Sequence, residues 1–211
     1  MARSLYHSLH GWHCASAALA AVLAFGMLAG CAGTSAARTD IRYDLGPVPQ
    51  VAASAALPAV KVLDVTAPVT LASDKLIYRL NYADAQQTAS YASSHWTMQP
   101  AGLLTQRLRN ALSQRGTVLT GMDGVNAPVL KVELEEFEQV FDSQAESHGA
   151  IAARATVTHS GKVLAQRTFV VRAPASSQDA AGGAQALAAA SDDLIAQIST
   201  WLGTQALVAG Q

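Results

Sequence analysis

The stretch 127-APVLKVELEEFEQVF-141 decides the fold of this 211-residue chain, because apolar and charged residues alternate more regularly there than anywhere else. In an extended chain one face carries Leu130, Val132 and Leu134, and the other carries Lys131, Glu133 and Glu135. Such alternation predicts a strand that buries one face and leaves the other in water. The alternation slips at Glu135-Glu136 before Phe137, which predicts a β-bulge.

Further strands are predicted on both sides of this one along the chain. Segment 150–174 (AIAARATVTHSGKVLAQRTFVVRAP) predicts a hairpin that turns at residues 159–162. The buried face of this hairpin would carry Ile151, Ala153, Ala155, Val157, Phe169 and Val171. Shorter strands are predicted within 41–47, 59–68, 75–82 and 116–121. Segment 83–95 (ADAQQTASYASSH) has no clear period and predicts a loop.

Two segments have the spacing of amphipathic helices. The first, 97–116, has Thr97 as its predicted cap, Pro100 in its first turn and Gly116 at its end. Its apolar stripe is Ala101, Leu104, Leu108, Ala111 and Leu112, and the residues predicted to face water are Gln106, Arg107, Arg109, Asn110 and Gln114. The second helix follows a loop predicted over 175–185. Its stripe is Leu187, Ala190, Leu194, Ile198 and Leu202, with Trp201 at the edge.

The order of elements is strands, helix, antiparallel strands and a final helix, which predicts an α+β fold. The simplest packing places the two amphipathic helices on one face of a largely antiparallel β-sheet. Residues 41–211 are long enough to form a single domain with a sizeable core, and 50% of the chain is hydrophobic.

Residues 1–30 are typical of a secretory signal peptide. Arg3 is the only charged residue in this segment, and residues 15–28 are apolar except for Ser16 and Gly26. A basic start followed by a short apolar run and small residues describes a cleaved signal. The run is also shorter than the roughly 20 residues that span a bilayer core.

Cys31 follows this segment and could in principle form a disulfide, bind a metal, react as a thiol or serve as an attachment point. The chain has 2 cysteines, and Cys14 lies in the part that would be removed. One remaining thiol makes neither an internal disulfide nor a zinc site. The sequence Leu28-Ala29-Gly30-Cys31 resembles the bacterial lipobox, in which the thiol is diacylated and the new amino terminus is acylated. We therefore predict that Cys31 is a lipid anchor.

The physical chemistry of acyl chains suits this position. Each buried methylene contributes about 0.8 kcal/mol, and two or more chains of the palmitate class anchor a protein stably where one chain is marginal. Ala32, and not an aspartate, comes next, which favours the outer membrane over retention at the inner membrane. Residues 31–40 would form a flexible tether that holds a periplasm-facing domain.

Charge and motifs argue against several function classes. The 14 basic and 15 acidic residues give a net charge of −1, without the clustered basic face that nucleic-acid binding requires. The sequence has no nucleophile elbow, Walker loop or dinucleotide fingerprint. The surviving histidines, His95, His148 and His159, lack metal-ligand spacing. We predict no catalytic residue, no metal site and no cofactor.

The acidic run of the central strand has a similar interpretation. Glu133, Glu135, Glu136 and Glu138 could be imagined as a catalytic carboxylate group. Alternation places Glu133 and Glu135 on the water side of the strand, so we interpret the run as a solvated face.

Residues 78–96 combine aromatic side chains with an arginine, a combination enriched in interface hot spots. Tyr78, Arg79, Tyr91 and Trp96 are therefore the predicted partner-binding residues. The alternative is that Trp96 and one tyrosine anchor the first helix to the sheet.

Several of these segments, taken in order, carry a resemblance to a known family. They are YDLGP (43–47) after the lipobox, VKVLDVTAP (60–68), LIYRLNY (76–82), YASSHWTMQPAGLLTQRLRNAL (91–112), LKVELEEFEQVF (130–141) and the closing helix. In this order and spacing the chain resembles the ABC-type transport auxiliary lipoproteins, which include the paraquat-inducible protein C-like lipoproteins. Pro100 and Leu103 stand further behind Trp96 than is usual in that family, and the region around 69–75 is also atypical.

The resemblance implies a lipoprotein that works with an MCE-type substrate-binding protein and an ABC transporter, moving phospholipid or other hydrophobic compounds between two membranes. The first hypothesis is thus a non-catalytic accessory subunit. A lipid-binding carrier and a structural lipoprotein of outer-membrane assembly are alternatives from other classes. An enzyme is the least favoured class, and the oligomeric state is left open.

Overall fold

The computed structural model describes residues 39–49, 55–205 and 207, which contain eight strands, two helices and one short 3-10 helix. The strands are β1 (Ile41–Tyr43), β2 (Val60–Val62), β3 (Lys75–Arg79), β4 (Thr88–Trp96), β5 (Val118–Leu119), β6 (Val129–Phe141), β7 (Ser147–His159) and β8 (Lys162–Pro174). The helices are α1 (Pro100–Ser113) and α2 (Ala180–Gly203), and the 3-10 helix is Val69–Leu71. The predicted signal segment and Cys31 lie outside the described residues.

The strand predicted from the alternating stretch, β6, organises the sheet. Along one side it pairs antiparallel with β7 over its whole length, and β7 pairs antiparallel with β8. Along its other side the first half of β6 pairs in parallel with β2 and the second half with β3. Strands β5, β4 and β1 then extend the sheet from β2 and β3.

The predicted alternation and bulge in β6 are both confirmed. Leu130, Val132 and Leu134 are buried, whereas Lys131 and Glu135 are exposed. The register with β7 shifts between Leu134 and Glu136, and Phe137 is then buried again. One extra residue therefore restores the apolar phase of the strand after the acidic pair.

The β7–β8 hairpin is also confirmed, with all six residues of its predicted face buried. Its turn residues Ser160 and Gly161 have φ values of 49° and 77°, and His159 is opposite Lys162. Two successive positive φ values match the type I′ turn, whose twist suits a two-residue hairpin. The non-glycine residue at the first position is one that tolerates this conformation only at some cost.

The loop predicted over 83–95 is wrong for residues 88–95, because these form most of β4. Small side chains dominate this strand, so it lacks an apolar alternation that the sequence could reveal. Its backbone pairs with β3 on one side and with β1 on the other. Pairing on both edges supplies the hydrogen bonds that overcome the low β-propensity of alanine and of the surrounding polar run.

Helix α1 begins later than predicted, and Thr97 does not cap it. Gln99 is the N-cap residue, without a side-chain cap, and Pro100 occupies the first turn. The Thr97 amide instead donates to the Tyr43 carbonyl at 2.8 Å, which ties the approach to the helix to β1. Leu104, Leu108 and the rest of the predicted stripe face the core, with Ala101 only partly buried.

Helix α2 begins at Ala180, so the loop predicted over 175–185 is wrong for its last six residues, 180–185. The signal that fixes this start is Asp179, whose carboxylate accepts a hydrogen bond from the Gly182 amide at 2.8 Å. That bond and a second from the Ser177 hydroxyl lower the pKa of Asp179. The predicted stripe of α2 is buried in full, and Trp201 packs edge-on against Phe169 with ring centroids 5.8 Å apart.

Both helices lie on one face of the sheet, and the α+β prediction is confirmed. Helix α2 lies against β6, β7 and β8, and α1 packs beside it. One apolar cluster joins the inner face of the sheet to both helices, including Val62, Trp96, Leu108, Leu134 and Leu194. The opposite face of β6, β7 and β8, which we call the open face, carries Lys131, Glu133 and Arg154.

We predict that Gly149→Ala destabilises the fold. A Cβ atom at Gly149 in β7 would lie 2.7 Å from the backbone of α2 at Ala186 and Leu187. Neither backbone can yield without moving the helix off the sheet, and overpacking of this kind costs about 1–3 kcal/mol. Urea unfolding of both proteins measures the change.

The matched control is Gly124→Ala, because nothing lies within 4 Å of the Cβ position at Gly124. This control should unfold like the wild-type protein. Equal destabilisation by the two substitutions would show that close approach of α2 to β7 is not the cause.

Candidate functional site

The residues predicted to bind a partner lie where β3 and β4 meet the second half of β6. Tyr78 pairs with Gln139 and Arg79 with Val140 in the parallel ladder between β3 and β6. Because neighbouring residues of a strand point to opposite faces, Tyr78 and Arg79 cannot share one surface. The structure therefore divides the predicted set between the two faces of the sheet.

The tyrosines lie together on the face that carries the helices. The rings of Tyr78 and Tyr91 have centroids 4.9 Å apart, and Phe141 packs edge-on against Tyr78 at 6.0 Å. The Tyr91 hydroxyl donates to Oε1 of Gln139 at 2.8 Å. Phe141 is buried, but the two tyrosines are only partly buried, so this aromatic cluster presents both ring surface and a hydrogen-bonded hydroxyl near the start of α2.

Gln139 connects the aromatic cluster to α2. Its side chain is fully buried, and its Nε2 donates to the Ser147 hydroxyl at 2.9 Å while its Oε1 accepts from Tyr91. Gly183 in the first turn of α2 lies directly against this amide, where any Cβ atom would collide with it. The glycine therefore permits the close contact between helix and sheet on which the cluster depends.

The surroundings of Tyr91 keep its phenol neutral. Burial raises the pKa of Tyr91 to about 12, and the negative charge of Asp179 raises it in the same direction. A neutral hydroxyl can donate, as the contact with Gln139 requires.

Arg79 lies on the open face, at the base of a polar cleft of about 300 Å³. Its Nε donates to Oε1 of Glu138 at 2.6 Å, and its Nη1 donates to the Ala85 carbonyl at 2.6 Å. The second bond fixes the loop between β3 and β4 over the sheet. Arg79 thus connects Glu138 of β6 to the β3–β4 loop at this cleft.

The other walls of the cleft carry charges of both signs. Nδ1 of His148 lies 2.7 Å from a carboxylate oxygen of Asp142, and Arg172 reaches the cleft from β8. Burial raises the pKa of Glu136, and the carboxylate of Glu138 raises it further. Paired charges that surround a concave polar surface favour orientation of a docked partner more than tight binding of one ion.

The solvated-face interpretation of the acidic run is correct for its first half and wrong for its second. Glu135 is exposed, and hydrogen bonds from Lys131 and Arg154 lower the pKa of the outward-facing Glu133. Glu138, by contrast, has a side chain only 7% exposed and is paired with Arg79. The loop over the open face covers it, and a loop of this kind cannot be read from strand alternation.

Trp96 belongs to the core. It is fully buried and packs against Phe137 with ring centroids 5.4 Å apart. This environment fits the alternative interpretation, in which Trp96 anchors the first helix to the sheet, because Trp96 shares one apolar cluster with Leu104 and Leu108 of α1. The surface residues of the predicted set are Tyr78, Arg79 and Tyr91.

A second concave feature lies between α1 and α2 and was not foreseen. It has a volume of about 500 Å³, and its walls include Val48, Ala111, Ile195 and Ala196. Arg107 was predicted to face water, but it is only 4% exposed and forms part of this wall. The prediction failed because Arg107 pairs with a carboxylate on the other helix, that of the partly exposed Asp192.

Arg107 donates from Nε to Oδ1 of Asp192 at 2.6 Å and from Nη1 to the Gly46 carbonyl at 2.7 Å. Removing Asp192 would leave the buried charge of Arg107 without a carboxylate, so the pair fixes how α1 and α2 are aligned. The signal in the sequence was spacing: Arg107 lies three residues after Leu104 and four before Ala111, beside the apolar stripe.

The described residues contain neither a cluster suited to a metal ion nor a helix suited to a membrane. No group of three or more His, Cys, Asp or Glu side chains in residues 39–49, 55–205 and 207 is arranged to hold a metal ion. Neither helix in this part of the chain has the length and apolarity needed to cross a membrane.

Comparison with known proteins places the chain in a family. Residues 43–199 match the family model described as ABC-type transport auxiliary lipoprotein component. The chain belongs to this family. It is therefore an envelope lipoprotein with an accessory role in ABC-type transport, as the resemblance implied, and its partners include transporter components.

Solved structures agree with the fold. A Xanthomonas campestris protein of the DUF330 family superposes with a TM-score of 0.60 at 20% identity, covering 79% of this chain and 87% of that one. A second, uncharacterized protein gives a TM-score of 0.64 at 18% identity, covering 78% of this chain and 99% of that one. At these identities the likeness establishes the fold alone. No curated protein sequence matches significantly.

We predict that Tyr91→Phe changes the stability of the protein at high pH. The pKa of Tyr91 is about 12 in the folded chain, against an ordinary value of 10.0. Its contribution is therefore fully present below about pH 10 and is lost as the pH rises from there through 12. The variant should show a shallower decline in the free energy of unfolding across this window.

Denaturant unfolding at intervals from neutral pH to pH 12 measures the slope. Tyr82→Phe is the control, because the Tyr82 side chain is 45% exposed. A slope for Tyr91→Phe that matches the wild-type slope would contradict the neutral, hydrogen-bonded phenol.

Proposed function

We propose that this protein is a non-catalytic, lipid-anchored accessory subunit of an MCE-type ABC transport system that moves phospholipid or other hydrophobic compounds across the cell envelope. The observation that carries the proposal is the family match over residues 43–199. The lipobox-like sequence at Cys31, outside the matched residues, and the outward-facing polar cleft at Arg79, within them, also support it.

Anchoring by Cys31 sets where the domain works. In this proposal residues 1–30 are removed as a signal peptide, and acyl chains on Cys31 enter the inner leaflet of the outer membrane. Residues 31–40 consist mainly of small and polar side chains, which suits a flexible tether. Extended, these residues would let the domain reach about 30 Å into the periplasm.

Docking, rather than bond chemistry, is the role we assign to the domain. Arg79 and its cleft offer paired charges, and the cluster of Tyr78 and Tyr91 offers partly exposed aromatic surface. Aromatic residues and arginine supply much of the binding energy at protein interfaces. The two surfaces lie on opposite faces of the same sheet. A partner that binds around the β3–β4 hairpin would therefore contact both of them.

We expect the anchored protein to crosslink in intact cells to an MCE-type protein or to a component of its ABC transporter. Cys31→Ser removes the acylation site, so this variant should leave the outer-membrane fraction and lose most of the crosslinked product. Fractionation, mass spectrometry of the N-terminus and identification of the crosslinked proteins make the measurement.

Arg79→Glu tests the contribution of the cleft while the anchor stays intact. Arg79→Glu should reduce the yield of crosslinked transporter component. Lys75→Glu should not, although it makes the same change of charge at an exposed position on the same strand. Recovery of outer-membrane assembly proteins instead of transporter components would overturn the proposal in favour of a structural lipoprotein.

The cavity between α1 and α2 favours a second candidate function, a carrier that holds an acyl lipid itself. Its volume of about 500 Å³ lies within the range of ligand pockets, about 300–1,000 Å³, and most of its wall is apolar. The charges of Arg107 and Asp192 at one side would face the polar end of an amphiphile.

If the carrier function holds, acyl lipid should co-purify with the Cys31→Ala protein, which carries no covalent chain. Ala196→Trp fills the cavity and should abolish the bound lipid, while Ala85→Trp, on the loop of the open face, should not. Lipid extraction followed by mass spectrometry measures the bound lipid in each variant. Absence of lipid from the Cys31→Ala protein with an unfilled cavity would exclude the carrier function.

A further inference from the structure

Strand β8 forms a long edge of the sheet. In the described part of the chain it pairs with β7 alone and runs for 13 residues, whereas the other edge strands, β1 and β5, have 3 and 2 residues. Short edges are one way in which proteins avoid unwanted strand pairing. The outer side of β8 instead offers a long row of backbone donors and acceptors.

Exposed apolar side chains accompany this free backbone. Val163 and Val170 are 65% and 62% exposed, and Leu164 is 43% exposed. Phe169 and Val171 of the same strand are buried and attach β8 to the core. A strand that is held firmly along one side and is apolar and unpaired along the other suits the addition of an extended segment.

The charge on β8 has one sign only. Lys162, Arg167 and Arg172 are its ionisable residues, and none of the three has a carboxylate within ion-pair distance in the described residues. The Arg167 guanidinium lies 5.0 Å from the centre of the Phe169 ring, on the helix side of the sheet. Arg172 lies in the polar cleft on the open face, where its charge acts to lower the pKa of Glu136 without forming an ion pair with it. Positive charge therefore flanks the edge on both faces.

This charge argues against a second copy of the chain as the occupant. Two β8 strands that pair edge to edge would bring two sets of three cations together in any register, and like charges across a strand pair are destabilising. Basic residues on an edge strand are also a common device against self-pairing. An extended segment with carboxylates meets no such repulsion.

We propose that the free edge of β8 is a docking site for an extended, acidic segment of a partner protein, which adds to the sheet as a further strand. Arg167 and Arg172 are five residues apart and lie on opposite faces, so the segment would carry carboxylates on both of its faces. An apolar residue of the segment would cover Val170. The inference deepens the proposed accessory function, on which it rests for the identity of the partner as a transport component.

The first test uses the full-length protein in detergent and two synthetic ten-residue probes of alternating threonine and valine. One probe carries three glutamates and the other carries three lysines at the same positions. The acidic probe should protect every second amide of β8 from hydrogen exchange, because alternate amides of an edge strand point outward. Protection of no β8 amide by the acidic probe, or equal protection by the basic one, would overturn the proposal.

Charge variants separate the docking role from stability. Arg167→Glu with Arg172→Glu should weaken binding of the acidic probe about tenfold, since two ion pairs become repulsive. Arg167→Lys with Arg172→Lys should bind nearly as well as wild type, and Lys75→Glu serves as the control elsewhere on the sheet. Thermal unfolding of each variant confirms that the domain is folded.

A photoreactive side chain at Thr168 on β8 then identifies the natural occupant in intact cells. The expected product joins β8 to an acidic extended segment of a transport component. A crosslink to a second copy would overturn the edge proposal. Capture of a transporter through Arg79 but never through Thr168 would overturn it while leaving the accessory function in place. An acidic segment from a protein outside any transport system would support the edge and contradict the function.

Discussion

The structure depends on the pairing of one strand, β6, along both of its sides. All of its residues except Glu135 at the bulge pair antiparallel with β7, while the opposite side is shared between β2 and β3 in parallel ladders. Long antiparallel pairing fixes the register of the hairpin that follows, because a shift by one residue would turn its apolar face to water. The bulge before Glu136 adjusts the twist where the strand changes partner from β2 to β3.

The charges of the protein are distributed according to what covers each face of the sheet. On the uncovered part of the open face, Glu133 pairs with Lys131 and Arg154 in contact with water, where such pairs contribute little to stability. Beneath the β3–β4 loop, Glu138 is buried and requires Arg79. Between the helices, Arg107 is buried and requires Asp192. Each pair has one buried member that needs its partner, so the two pairs specify how a loop and a helix are positioned on the sheet.

These features agree with the role of an accessory protein that holds partners together. In the proposed function, acyl chains on Cys31 keep the folded domain within a confined layer of the envelope, where modest surfaces bind well at the effective concentration that tethering provides. The helix face, the open face and the β8 edge are three separate surfaces. The helix face presents aromatic rings, the open face presents paired charges, and the β8 edge presents free backbone groups with basic side chains. Separate surfaces allow more than one contact at a time.

The sequence by itself determined the elements whose side chains follow a period. These are β6 with its bulge, the β7–β8 hairpin and the apolar stripes of both helices. Burial of one face of an element makes apolar residues recur at a regular spacing in the sequence. Tertiary structure alone decided β4, the burial of Arg107, Glu138 and Gln139, and the division of Tyr78 and Arg79 between two faces. Each of these depends on a partner remote in the chain: a neighbouring strand, the Asp192 carboxylate, the covering loop or the first turn of α2. The spacing of apolar and polar residues along the chain cannot reveal these partners, because the hydrogen bonds and ion pairs with them form only once the sheet and helices have assembled.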